Sequence, residues 1–446
     1  MSDPGTLRRP NEAESRVMSR RGWWLVVLNF LVPGLPQLVA GNRVLARIVL
    51  WFWALSWVAG LWALWALLAA RSTFASVFSN SAVLWVLQGW IILGIVILVV
   101  LSVDTLRLVR VVRTRGRTRL LLPLAMLVVG ALAVSGLTWA SSQVSTARGL
   151  LEDVFGDGVV AEPVDGRYNI LLLGGDSGEG RIGLRPDSLS VVSVDASTGQ
   201  TAIIGVPRNM EQVPFPEGSP MLEIYPDGYT CGSECMVNAL YTEGEAHPEL
   251  YPDAEEEGSS PGIEATKDGV EGITGLTIQY FVLVNMEGFI ELIDALGGIT
   301  VDVPESVELV DGSDDDLQYH GTIEAGEQHM DGQTALWYAR SRKTTSDYDR
   351  MERQRLIEKA IIAQFSPSVI VSKFQEVAQA TSATLQTDIP QVLVSTMVDL
   401  AEGMQSYDVQ SLELTPDNGI VTADPDYATI HAMVAETVAA ATTPAE

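Results

Sequence analysis

Residues 338–355, YARSRKTTSDYDRMERQR, place Arg340, Arg342, Lys343, Arg350, Arg353 and Arg355 close together in a chain whose formal net charge is −28. A looser group, Arg181, Arg185 and Arg208, follows the run NILLLGG. Guanidinium stays charged at any relevant pH and forks onto phosphate oxygens through paired N–H donors. Two such groups in an acidic background point to a compact anion, phosphate or pyrophosphate. On a helix, spacings of three and four put Arg350, Arg353 and Gln354 on one side, where all could reach one ligand. Arg340 and Arg342, two apart, share a face only on extended chain. A helical DGQTALWY capped by Asp331, followed by extended ARSR, would provide that. For Arg355 and Lys359 the expectation is a solvated helix face paired with Glu352 and Glu358.

The first basic group lies in GGDSGEGRIGLRPDS, where a Gly-rich turn after a strand can bring backbone close to a ligand. It matches neither G-x-x-x-x-G-K-[ST] nor G-x-G-x-x-G, so a nucleotide loop is unsupported. Serine hydrolysis is excluded, because His247, His320, His329 and His431 all follow Ser177 and Glu179 breaks G-x-S-x-G. Asp176 and Asp187 flank this stretch, and Mg²⁺ is commonly held by one or two carboxylates plus substrate phosphates. A magnesium site there is the expectation, against the plain reading of Asp as a turn former. Cys231 and Cys235, in TCGSEC, are expected to form a disulfide if that part of the chain is exported. A zinc half-site is the rival, with no His nearby and the other half missing.

These residues need elements to hold them, and composition divides the chain in two. Residues 1–141 carry fourteen basic and four acidic side chains (+10), residues 142–446 fourteen basic and fifty-two acidic (−38). The basic part is also the apolar part. Runs at 45–70, 82–103 and 120–140 each reach the roughly 18–20 residues that cross a bilayer as helix. DTLRLVRVVRTRGRTR (104–119) and the Arg-bearing tail 1–22 are both placed in the cytoplasm by the positive-inside rule. An even number of crossings must separate them, so 23–40, with Pro33, Gly34 and Pro36, is expected to be a re-entrant or interfacial hairpin. The alternative is an ordinary span with an outside N-terminus. The transmembrane region is then 23–141, and 142–167 reads as a juxtamembrane linker with a short helix near Thr146–Phe155.

Beyond it, YNILLLG, LSVVSVD, TAIIGV and QYFVLVN read as strands. MEGFIELIDAL is a helix stopping at Gly297 and Gly298. RLIEKAIIAQF, SKFQEVAQATSATL, PQVLVSTMVDLAEGM and YATIHAMVAETVAA read as further helices. Interleaved strands and helices predict one α/β domain over 168–440.

NILLLGGDSGEGRIGLRPDS, the strand pair ending in GVPRN, MVNALY, GVEGITGLTIQYFVLVNMEGFIELIDALGGITVDVP, GEQHMDGQTALWYARSR and SDYDRMERQ together resemble the LytR-CpsA-Psr (LCP) family of envelope proteins. The resemblance runs from 168 to roughly 400. It implies a membrane-anchored, multi-pass protein with one extracellular, three-layer-like α/β LCP domain. The implied reaction is Mg²⁺-dependent transfer of a glycopolymer from a polyprenyl-pyrophosphate carrier to a cell-wall acceptor, usually a peptidoglycan hydroxyl. It further implies that Asp176 and Asp187 are magnesium-associated and that Arg185, Arg208, Arg340, Arg342 and Arg350 form the pyrophosphate cradle. Gln354 would support it, with Arg181 and Arg353 in substrate binding. Gly178 and Asn209 depart from the family's usual Arg and Asp, and Arg181 would supply the missing charge. The alternatives are a polyprenyl-pyrophosphate hydrolase and a non-catalytic lipid-sensing envelope regulator. The partners expected are the lipid-linked glycan, the wall polymer and membrane lipid. No nucleic-acid partner is expected, since Arg107–Arg119 is a short inter-span loop.

Overall fold

The computed structural model describes residues 14–78, 80–155, 158–175, 186–313, 316–341, 347–364 and 385–441. They form two compact units, Met1–Arg148 and Gly149–Glu446.

In the first unit three helices are long and apolar enough to cross a membrane, Arg43–Ala69, Ser81–Arg113 and Gly116–Gly149. They hold the helices α3 (Arg43–Ala69), α5 (Ser81–Val109) and α6 (Gly116–Val154). Asn42 and Asn80 cap α3 and α5 by accepting from Val44 and Ala82 amides. Trp51, Trp57, Val86, Leu120 and Trp139 stand exposed along them, the mark of helices apolar all round. Two further helices precede them, α1 (Ser15–Leu31) and α2 (Leu35–Ala40), joined through Gly34 at φ +95°. The Arg21 guanidinium donates to the Leu108 carbonyl, and Gly41 packs against the Leu108 side chain. The hairpin therefore starts and finishes beside the same turn of α5. Between those points Asn29 bonds Thr105 and Gln37 bonds Thr105 and Asp104. A short helix, α4 (Arg71–Phe78), links α3 to α5. Helix α6 runs unbroken to Val154, so the helix expected near Thr146–Phe155 is there but continues the 120–140 run, and 142–154 is helix.

The second unit is built on a mixed six-stranded sheet. Its strands are β1 (Arg167–Gly175), β2 (Pro186–Asp195), β3 (Thr201–Val206), β4 (Tyr280–Asn285), β9 (Leu385–Thr387) and β10 (Gln410–Glu413), in spatial order β10-β3-β2-β1-β4-β9. β1 is antiparallel to β2 and parallel to β4. Both faces are covered, which is why the strands read as nearly continuous apolar runs. On one face Leu171, Leu173, Val191, Ile204 and Phe281 pack with α8 (Pro261–Thr274) and α13 (Tyr427–Ala440). On the other, Leu172, Val192, Ile203 and Val282 meet Ile362 of α11 (Asp347–Gln364) and Leu400 of α12 (Val394–Met404).

A second core lies around two small antiparallel pairs, β5 (Ile299–Val303) with β8 (Gly326–Met330) and β6 (Val307–Ser313) with β7 (Asp316–Ile323). It packs against α9 (Met286–Leu296), α10 (Gly332–Arg340) and α11. Asn285 caps α9, which ends where Gly297 and Gly298 take φ of +92° and +90°. Asp331 caps α10 by accepting from Thr334 N at 2.8 Å. The remaining helix, α7 (Leu240–Ala246), lies near the Cys231–Cys235 disulfide, whose Cα atoms are 5.2 Å apart. The segment expected as a helix at 372–385 falls almost wholly outside the described residues; its last residue, Leu385, opens β9.

Candidate functional site

A cavity of about 320 Å³ opens between the sheet and the second core. Its walls are apolar: Leu172 and Leu173 of β1, Val282 and Val284 of β4, Phe289 and Leu292 of α9, and Ile357 and Ile361 of α11. Polar groups gather where β1 and β4 end, since Gly174 and Gly175 pair with Ser188 and Pro186, and Gly175 with Asn285. There Asp187, Ser188, Arg340, Arg350 and Gln354 line the cavity.

The polar end is assembled from three elements. Asp187 opens β2 and pairs with Arg208, which follows β3, at 2.5 Å. The Arg350 guanidinium donates to the Asp187 carbonyl at 3.2 Å. Ser188 donates to Gln354 at 3.0 Å, and Ser190 to Glu358 at 3.2 Å. Two residues of strand advance about 6.6 Å and four residues of helix about 6 Å. β2 and α11 thus run side by side in step, and Val192 and Ile362 continue the ladder as apolar lining. Gly174 leaves room for it, since a Cβ there would lie 3.0 Å from the Ser188 Cβ.

Arg340, Arg350, Gln354 and Asp187 line this end of the cavity, and Arg208 joins them through its ion pair with Asp187. Asp176, Arg181, Arg185, Arg342 and Lys343 lie outside the described residues. Two expectations are corrected. Arg353 does not line this cavity: its Nε donates to the Tyr338 carbonyl at 2.9 Å and its NH2 to the Ser341 carbonyl. Those carbonyls end α10 and have no intrahelical partner, so Arg353 fastens α10, and with it Arg340, to α11. Nor is ARSR extended throughout, because Ala339 and Arg340 complete the last turn of α10. Burial pushes the Arg353 guanidinium below its ordinary pKa.

Arg355 overturns the solvated-face expectation. Its side chain is 5 % exposed, bonded to Glu413 of β10 at 2.6 Å and to Glu358, and Glu352 is not its partner. Burial holds Glu413 above the usual carboxylate range despite the adjacent guanidinium. The site beneath β3 exists because position 205 is glycine, where a Cβ would come within 2.0 Å of Glu413 Oε2. Lys359 donates to Ser411 at 2.8 Å.

Sequence reasoning missed Ser188 and Ser190, and named Glu358 only as a partner of Arg355 and Lys359. Their signal was the period of two on β2 facing the period of four on α11. Among the described residues no three His, Cys, Asp or Glu side chains gather to hold a metal by themselves. Asp187 offers one hard oxygen ligand at the cavity, with its other partner a guanidinium; that suits Mg²⁺ only in company with ligand phosphates.

The model of the LytR_cpsA_psr family matches residues 140–442. This chain belongs to the LytR_cpsA_psr family. Family members similar to it include the polyisoprenyl-teichoic acid–peptidoglycan teichoic acid transferase TagV of Bacillus subtilis (strain 168), 28 % identical over 52 % of this chain and 52 % of that protein. Biofilm regulatory protein A of Streptococcus mutans is 26 % identical over 56 % and 58 %. The chain thus spans little more than half the length of these curated relatives. Among solved structures, the crystal structure of B. subtilis TagV gives a TM-score of 0.43 at 25 % identity, covering 61 % of this chain and 97 % of that one. TagT bound to LI-WTA gives 0.41 at 19 %, covering 65 % and 98 %.

Proposed function

We propose that the protein is a membrane-anchored phosphotransferase that moves a glycopolymer from a polyprenyl-pyrophosphate carrier to a hydroxyl of peptidoglycan. One observation carries this reading: an apolar cavity whose polar end joins Arg208, Arg340 and Arg350, drawn from distant stretches of an acidic unit. A prenyl chain along the walls would contribute about 0.8 kcal/mol per buried CH₂. The names of the relatives, polyisoprenyl-teichoic acid–peptidoglycan teichoic acid transferases, support the same chemistry.

The acceptor hydroxyl attacks the sugar-linked phosphorus; the new P–O bond forms as the bond to polyprenyl phosphate breaks, and the hydroxyl proton leaves to solvent or to the departing phosphate. Arg340 and Arg350 stabilise charge on the phosphoryl oxygens, and Gln354, oriented by Ser188, lies beside them. Arg208 fixes the Asp187 carboxylate. Arg185, Arg342 and Arg181 complete the cradle in this reading. Mg²⁺ on Asp187 and Asp176 would neutralise further phosphate charge when bound.

The long helices α3, α5 and α6 serve as the spans. Residues 1–22 are cytoplasmic, the α1–α2 hairpin is re-entrant, and the second unit faces outward beside the carrier lipid. Cysteine labelling near Ser15 tests the topology, and labelling from outside would refute it. For the site, a complex with a polyprenyl-pyrophosphate analogue should place the phosphates against Arg340 and Arg350 with the prenyl chain along Val282 and Ile361. Lipid bound elsewhere, or release of free phosphorylated glycan with no polymer conjugate, would overturn the transferase reading.

A further inference from the structure

The described cations of the second unit are spent inward. Among its described residues no Lys or Arg is exposed. Arg167 is buried against Ser193 and the Gln200 carbonyl. Lys267 sits between Glu264 and Asp388. Arg353 and Arg355 are the buried clamps described above, and half-buried Lys359 bonds Ser411. Arg340 and Arg350 line the cavity, and Arg208 pairs with its lining residue Asp187. Carboxylates are distributed the opposite way, with Glu217, Glu223, Asp227, Glu245, Glu256 and Glu327 all exposed. Two more are close in the chain to residues of the site. Glu287 is exposed next to the lining residue Met286. Asp424, also exposed, is two residues from Thr422, which bonds Asn209 beside Arg208. The formal charge over residues 142–446 is −38 with every basic residue counted.

Resting on the transferase reading, we infer that the glycan carried by the donor lipid is an uncharged chain. A compact pyrophosphate is drawn to the arginines at the polar end of the cavity. A polymer with a negative group on each repeat would lie along a surface of its own sign, within the Debye length of about 8 Å at physiological salt. Fields from many surface charges add, and like-charge juxtaposition acts chiefly to reject wrong partners. A neutral glycan meets the opposite situation: its hydroxyls donate hydrogen bonds, and ionised carboxylates only accept them.

The full-length protein in lipid nanodiscs tests this with two donors sharing one short polyprenyl pyrophosphate and one oligosaccharide length, neutral in the first and bearing a phosphodiester per repeat in the second. Binding is read by calorimetry alongside transfer to peptidoglycan fragments. At about 20 mM salt the neutral donor should bind at least tenfold more tightly, and the gap should shrink severalfold near 0.3 M salt as screening sets in. The pair Glu287→Lys and Asp424→Lys should narrow the gap at low salt, raising the affinity of the anionic donor by a larger factor than that of the neutral donor. Equal or tighter binding of the anionic donor at low salt overturns the inference while leaving transfer intact. Preferential binding of the neutral donor without turnover of either sinks the transferase reading and keeps the charge preference. Failure to bind either donor sinks both.

Discussion

Arg350 and Arg355 sit on one helix, a turn and a half apart, and their guanidinium groups meet opposite surroundings. Arg350 reaches the polar end of an apolar cavity and bonds a backbone carbonyl of β2. Arg355 is sealed between Glu358 and Glu413 beneath β3. Arg353, between them, faces a third way and clamps the end of α10. Basic density along the sequence therefore marks the helix without saying which of its arginines meet a ligand. Five residues turn a helix by about 140°, enough to carry a side chain from cavity to core.

The contrast is broken most severely at the sealed end. Arg355→Ala leaves two half-buried carboxylates without their cation and should cost about 3 kcal/mol in denaturant unfolding. A loss of transfer with unchanged stability would instead assign Arg355 to the ligand. At the cavity end, Arg340→Ala should lower the transfer rate by about 10²–10³, roughly 3–4 kcal/mol of transition-state stabilisation, with little change in unfolding midpoint. Arg353→Met should fall between the two. It leaves the Tyr338 and Ser341 carbonyls without their donor, for about 1–3 kcal/mol of stability, and weakens activity indirectly by releasing Arg340.

The smallest effect sharpens the comparison from the acid's side. Glu271, which accepts from Ile278 N at 2.6 Å, is pushed up to about 7 by burial, with Asp268 adding to it. Its folded pKa lies above the unfolded value, so the native state holds the extra proton. Stability from this group is full below about pH 4.5 and declines as pH rises toward 7, where the native carboxyl must ionise in place. Glu271→Gln should flatten that decline: thermal midpoints of variant and wild type should diverge between pH 5 and pH 8, the variant gaining. A constant offset across that range would mean that Glu271 does not titrate there.

The strands were legible because both faces of the sheet are buried: residues 168–174, 189–195 and 201–206 lie within β1 to β3, and 279–285 exceeds β4 only by Gln279. Asp331 and the pair Gly297 and Gly298 announced their helix boundaries through capping chemistry that acts within a few residues. The end of α6 was not legible, because polar SSQVSTARG is as compatible with helix as with linker and nothing local stops it before Val154.

The sequence by itself determined the family, the division into a basic apolar part and an acidic part, and the residue types of the phosphate site, because charge, hydropathy and local capping are properties of short stretches. Tertiary structure alone decided which arginines serve the cavity. Whether Arg350, Arg353 or Arg355 meets ligand, helix end or buried carboxylate depends on the register of α11 against β2 and on the space left at Gly205, and both are set by contacts between residues far apart in the chain.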